Sequence, residues 1–124
     1  MSRLKFSIKR EVIESFLEFA REMHPKEAIL LIRGKKKGES YQLEELVFPP
    51  QAVSGESFSS FNMHMLPLDL SLLGVAHSHP SGFATPSVWD LNHIFGVLIM
   101  ITAHPYREVR LFNSKGEAIN FQIV

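Results

Sequence analysis

The spacing of apolar residues divides the chain into helical and extended stretches. Ile8, Val12, Ile13, Phe16, Leu17, Ala20 and Met23 recur at helical intervals, with Lys9, Arg10, Glu14, Glu18, Arg21 and Glu22 between them. That period predicts one amphipathic helix, with Ser7 as its N-cap and Pro25 as its stop. Residues 28–33 form a short, nearly continuous apolar run and read as a central strand. Gly34-Lys35-Lys36-Lys37-Gly38 reads as a hairpin turn into a strand over about 40–48, which Pro49-Pro50 ends. Residues 51–67 lack a clean apolar face; within them 57–63 reads as an exposed edge strand, and 66–70 as a short helical turn. Residues 72–79 form a strand. Thr85 and Pro86 then suit the cap and first position of a second helix, running to about Phe95. Residues 97–103 make another strand, and 108–112 with 118–124 a final hairpin turning at Asn113-Ser114-Lys115-Gly116. This order predicts a mixed α/β (α+β) fold, a curved mixed sheet flanked by helices.

Composition narrows the class. At 124 residues, 45% hydrophobic and 21% charged, the chain is expected to be one globular domain, 1–124. Lys plus Arg and Asp plus Glu number 13 each, so the basic excess of a general nucleic-acid binder is missing. The chain has no cysteine, which removes a disulfide framework, a thiolate zinc site and a cysteine nucleophile. No apolar run is long enough for a bilayer, and the N-terminus has no secretory pattern, so the expected location is cytoplasmic, without a membrane partner.

The chemistry gathers at His77-Ser78-His79-Pro80, Ser87 and Asp90. Strand side chains alternate, so His77 and His79 share one face and Ser78 points away. A carboxylate at Asp90, early in the next helix, would complete three ligands with one open position, the pattern of a catalytic rather than a structural zinc. Ser87-x-x-Asp90 also resembles a capping box, although Thr85-Pro86 offers a better cap. Ser87 has two readings: a backbone cap, or a donor to a developing oxyanion. His24, His64, His93 and His104 read as unremarkable surface or core histidines. A proton shuttle needs a carboxylate, and Glu22, Glu27, Glu39, Glu44, Glu45 and Glu56 are available. Glu27 stands where the chain enters an apolar strand, an odd place for a charge that nothing uses.

These residues resemble a known family. His77-x-His79-Pro80, six residues, Ser87, two residues, Asp90 looks like the JAMM/MPN+ metalloprotease motif, and the stretch from His24-Pro25-Lys26-Glu27 into the first strand is similar to that family's entry. The resemblance covers nearly the whole chain and implies a cytidine-deaminase-like MPN domain. It implies one zinc per chain on His77, His79 and Asp90, with a position left for water. It implies Glu27 as general base and then acid, and Ser87 steadying the oxyanion. The expected reaction is hydrolysis after the C-terminal glycine of ubiquitin or a ubiquitin-like protein joined to a lysine amine. Leu30 stands where many members have glycine, and residues 92–96 are short where eukaryotic deubiquitinases carry an insertion. The compact chain is therefore similar to stand-alone archaeal or bacterial members, which act on ubiquitin-like modifiers and sulfur carriers. The alternatives are a non-catalytic MPN module that binds a ubiquitin-like partner, and a peptidase trimming linear extensions. The edge at 57–63 would hold a substrate tail by strand addition or is a plain surface loop, and Phe83, beside the metal loop, either flanks the tail or packs. Lys35 to Lys37 reads as a solvated charge run. A homodimer is compatible with an exposed helix or edge. A His-x-His amidohydrolase needs a longer chain, a cupin a nearly all-β one, and a zinc deaminase cysteines.

Overall fold

A computed structural model of the chain describes residues 4–48, 71–92 and 96–124. Among them lie β1 (Lys5–Ile8), α1 (Arg10–Met23), β2 (Ile29–Lys37), β3 (Ser40–Val47), β4 (Leu72–His79), α2 (Val88–Asn92), β5 (Leu98–Ala103), β6 (Arg110–Phe112), β7 (Ala118–Ile119) and β8 (Gln122–Ile123). The strands form one sheet in the order β7-β6-β5-β4-β2-β3-β1-β8. It is mixed: β4 and β5 run parallel, as do β1 with β3 and β1 with β8, while β2 is antiparallel to both β3 and β4. The expected edge strand at 57–63, the turn at 66–70, the end of the second helix, His64 and His93 lie outside the described residues.

The sheet must curl. β7 ends at Ile119 and β8 begins at Gln122, yet they occupy opposite edges. Three residue steps span at most about 10–11 Å. The edges of a flat eight-stranded sheet would stand about 33 Å apart. The concave side closes on α1, whose Val12, Ile13, Phe16, Leu17 and Ala20 are buried against Leu30, Ile32, Leu43, Ala76, Met100 and Leu111. The convex side carries two smaller clusters, Leu31, Leu72 and Val75, and Ile99, Ile101 and Phe112. β4 lies mid-sheet and is buried at every position, as a strand covered on both faces must be.

Four expectations change. Ser7 is not a helix cap. It lies in β1, which pairs parallel with β3, while Phe6 and Ile8 alternate into the core and α1 begins at Arg10 after Lys9. The three lysines do not form the turn: β2 continues through Lys37, and the reversal tightens to Gly38, at φ +58°. Gly34 serves a close approach at a β-bulge, where a Cβ would stand 1.9 Å from the Gln42 carbonyl oxygen. The segment 118–124 is two strands, because the curl lets the chain leave β6 and pair with β1. Finally, α2 starts at Val88, not at Pro86. The turn at Asn113 to Gly116 is as expected, with Asn113 Oδ1 accepting from the Lys115 and Glu117 amides at 2.9 and 3.0 Å. Among the described residues no helix is long and apolar enough to cross a membrane.

Candidate metal centre

His77 and His79 emerge at the C-terminal end of β4, beside the parallel β5. The crevice beyond the carboxyl ends of parallel strands is a common place for ligands. Register puts His77 opposite Ile29 and Ile101 and His79 opposite Ala103, and the alternation turns both rings to the convex face. The rings stand 5.9 Å apart at 78°. Both are buried, and so is Asp90.

Asp90 reaches this face because of how α2 begins. The Ser87 amide donates to Asp90 Oδ2 at 2.9 Å, and the Asp90 amide donates to Ser87 Oγ at 3.0 Å. The capping box is therefore real and displaces the expected Thr85-Pro86 cap. It does not compete with the ligand role, because the same Oδ2 accepts from His79 Nε2 at 2.9 Å. On the other side of that ring, Nδ1 donates to the Phe83 carbonyl at 2.8 Å. Without an ion, an acceptor at each nitrogen favours the protonated ring. The hydrogen bond to Asp90 raises its pKa, burial lowers it, and the Phe83 carbonyl raises it again, for a net increase. For Asp90, burial pushes the pKa upward, but the hydrogen bonds from His79 and Ser87 and the charges of His77 and His79 outweigh it and lower it to about 2.

The donors fit a metal. His77, His79 and Asp90 bring their ligand atoms within 4.8 Å of one another. Among the described residues they are the group able to hold an ion in this way. A tetrahedral zinc spaces its ligands about 3.3–3.4 Å apart. His77 Nδ1 to Asp90 Oδ1 is 3.6 Å, close to that spacing. His79 Nε2 to Asp90 Oδ2 is shorter at 2.9 Å, the distance of a hydrogen bond in which Nε2 donates its proton. An ion would replace that proton, while the Phe83 carbonyl keeps the ring aimed, the usual outer support of a ligating histidine.

Glu27 comes to the same place from just ahead of β2. The residue is exposed, but its carboxyl feels both His79 and Asp90. Desolvation raises its pKa, His79 lowers it and Asp90 raises it, leaving it above the ordinary carboxylate value. Ser78, expected behind the ligands, is there: its Oγ accepts from the Ala28 amide at 2.6 Å, and its own amide donates to the Ala28 carbonyl at 2.9 Å. The segment carrying Glu27 is thus bonded to the residue between the two histidines. Two features escaped the sequence. The Phe83 carbonyl carries no side-chain signal. His24 and His104, expected to be unremarkable, face each other with ring centroids 4.6 Å apart, next to Tyr106.

Comparison with known proteins gives the same picture. Prokaryotic homologs of the JAB domain match residues 9–114. A "Probable metalloprotease" of Haloferax volcanii is 26% identical over 132 residues, covering 99% of this chain and 82% of that protein. A JAB1/MPN domain protein from Archaeoglobus fulgidus has a crystal structure that superposes with a TM-score of 0.73 at 32% identity, over 95% of this chain and 98% of that one. A structure described as a JAMM metalloprotease-like zinc site in the proteasome and signalosome superposes with a TM-score of 0.69 at 29% identity, over 97% and 98%. A protein from Desulfitobacterium hafniense shares the fold at 19% identity, with a TM-score of 0.61. By motif, sheet order and relatives alike, the chain belongs to the prokaryotic JAB-domain family of JAMM/MPN metalloprotease-like proteins.

Proposed function

We propose that this protein is a cytoplasmic, zinc-dependent isopeptidase that cleaves after the C-terminal glycine of a ubiquitin-like modifier conjugated to a lysine amine. The observation that carries the reading is the convergence of His77, His79 and Asp90 with Glu27 beside them. A zinc on the three ligands would supply Lewis acidity and lower the pKa of water toward about 7. Glu27 takes a proton from the attacking water on its carboxylate, and its raised pKa makes it a better base than an ordinary glutamate. The same carboxyl then returns the proton to the departing amine nitrogen. Ser87 Oγ accepts from the Asp90 amide, so its own hydrogen is available to the carbonyl oxygen as negative charge develops. Phe83, 73% exposed beside the ligand loop, offers an apolar surface for a substrate tail.

The test is incubation of zinc-loaded protein with ubiquitin-like conjugates and with linear fusions. Conjugate cleavage that a chelator abolishes and zinc restores is expected. Cleavage of linear fusions alone would make the protein a processing peptidase. Binding without any release would make it a non-catalytic module.

A further inference from the structure

Glu27 is held from two directions. Toward β2, Ala28 is bonded to Ser78. Toward α1, the anchor is the segment that follows β5. Arg21 Nη2 donates to the Tyr106 carbonyl at 2.9 Å, and His24 Nδ1 lies 2.6 Å from the Tyr106 hydroxyl. The His24 and His104 rings each meet the Tyr106 ring nearly edge-on, at 5.6 Å. Tyr106 itself is buried and has φ +62°, a conformation that a bulky residue holds only when its surroundings force it. Here the surroundings are the last turn of α1. The same segment is tied to the metal side, since the His104 amide donates to the His79 carbonyl at 3.0 Å. An unbroken path of contacts therefore runs from the ligand strand through His104 and Tyr106 to His24, three residues before Glu27.

We infer that Tyr106 and His24 are positioning residues, whose phenol–imidazole hydrogen bond locks the segment carrying Glu27 against the end of β4. The inference rests on the reading of Glu27 as the base. Between His24 and Ala28 that segment's other described backbone bonds, from the His24 amide to the Ala20 carbonyl at 3.1 Å and from the Lys26 amide to the Met23 carbonyl at 2.8 Å, tie it to α1 and not to the metal side. The clamp is what relates it to β5. Burial pushes the Tyr106 pKa up, so the hydroxyl remains protonated and able to donate to Nδ1 throughout the neutral range. Displacing a catalytic group by about 1 Å can cost up to about a hundredfold in rate, so loss of one of two anchors should be visible in turnover.

Tyr106→Phe removes the hydroxyl and little else. With zinc-loaded protein, kcat should fall about tenfold while KM and zinc content stay at wild-type values. In a Glu27→Gln background the same change should cost nothing further, because the anchor acts only through Glu27. His24→Ala should reproduce the loss and His24→Asn, which keeps an acceptor near Nδ1, should restore most of it. Amide exchange at Lys26 and Ala28 should quicken at least tenfold in Tyr106→Phe, a readout that needs no catalysis. Wild-type turnover in Tyr106→Phe, an equal loss in the Glu27→Gln background, or unchanged exchange would each overturn the assignment. If the wild-type protein hydrolyses nothing, the functional reading fails, and the exchange measurement still decides whether the clamp exists.

Discussion

At the scale of single residues, chelation should leave Asp90 and His79 as a hydrogen-bonded pair. Asp90 and His79 stabilise one another, and the signs of their shifts set a pH window. Asp90, held at about 2, contributes stability that is fully present above its unfolded value near pH 4 and is lost as pH falls through about 2. His79, with a raised pKa, contributes stability that is fully present below about pH 6.5 and is lost as pH rises through its folded value. The chelated protein should therefore melt highest between about pH 4 and 6.5. Asp90→Asn should flatten both limbs, and melting curves of chelated wild-type protein that show no alkaline decline would contradict the pairing. Glu27 belongs to the same scale but not to the same test. Glu27→Gln should keep zinc and fold and lose at least about a hundredfold in kcat, measured beside metal content. That His77 and His79 share a face was legible in the sequence, because strand alternation forces them together whatever the rest of the fold does. The Phe83 carbonyl was not, since any residue supplies one.

At the scale of elements, the start of α2 does two jobs with one pair of residues. Ser87→Ala removes an acceptor from the Asp90 amide and a hydroxyl from the site. The lost cap should cost about 1 kcal/mol of stability, and the lost donor about 10²–10³ in kcat. If stability falls and turnover does not, Ser87 is only a cap. Strand β4 has its own vulnerability. A Cβ at Gly74 would stand 2.2 Å from the Leu98 carbonyl oxygen, so Gly74→Ala must push β4 from β5. We expect a loss of about 1–3 kcal/mol or more in denaturant titration, with weaker zinc retention because the displaced strand carries both histidines. Elements with a local cause were readable: the α1 face, the β4 apolar run and the Asn113 turn. The misplaced start of α2 had a local cause, the Ser87–Asp90 cap, but the strands at the edge had non-local ones. Ser7 sits in a strand because β3 and β8 lie beside it, and four alternating residues are too few to announce those partners.

At the scale of the molecule, the curved sheet was legible, but not that its curl brings the two edge strands, β7 and β8, together across Phe121. The curl encloses α1, with Val12, Ile13, Phe16, Leu17 and Ala20 in the main core. The described part of α2, Val88–Asn92, is held to β4 through Asp90, which meets both His79 and His77. An ion on His77, His79 and Asp90 would cross-link β4 to α2 and fold the intervening loop onto the sheet, so metal binding should appear as global stability. At a free zinc concentration 1,000 times the Kd, linkage adds about 4 kcal/mol, several degrees for a domain of this size. The pH dependence should run opposite to that of the metal-free pair. Zinc must displace the His79 proton, which its raised pKa holds more firmly, so the zinc-induced rise in Tm should shrink on acidification and grow toward pH 8. Paired melting curves with and without zinc from pH 5 to 8 measure this directly. Asp90→Ala should remove the rise at every pH. A rise in the wild type that ignores pH would mean that the ion binds without displacing that proton, and the three-ligand site drawn here would be in the wrong place.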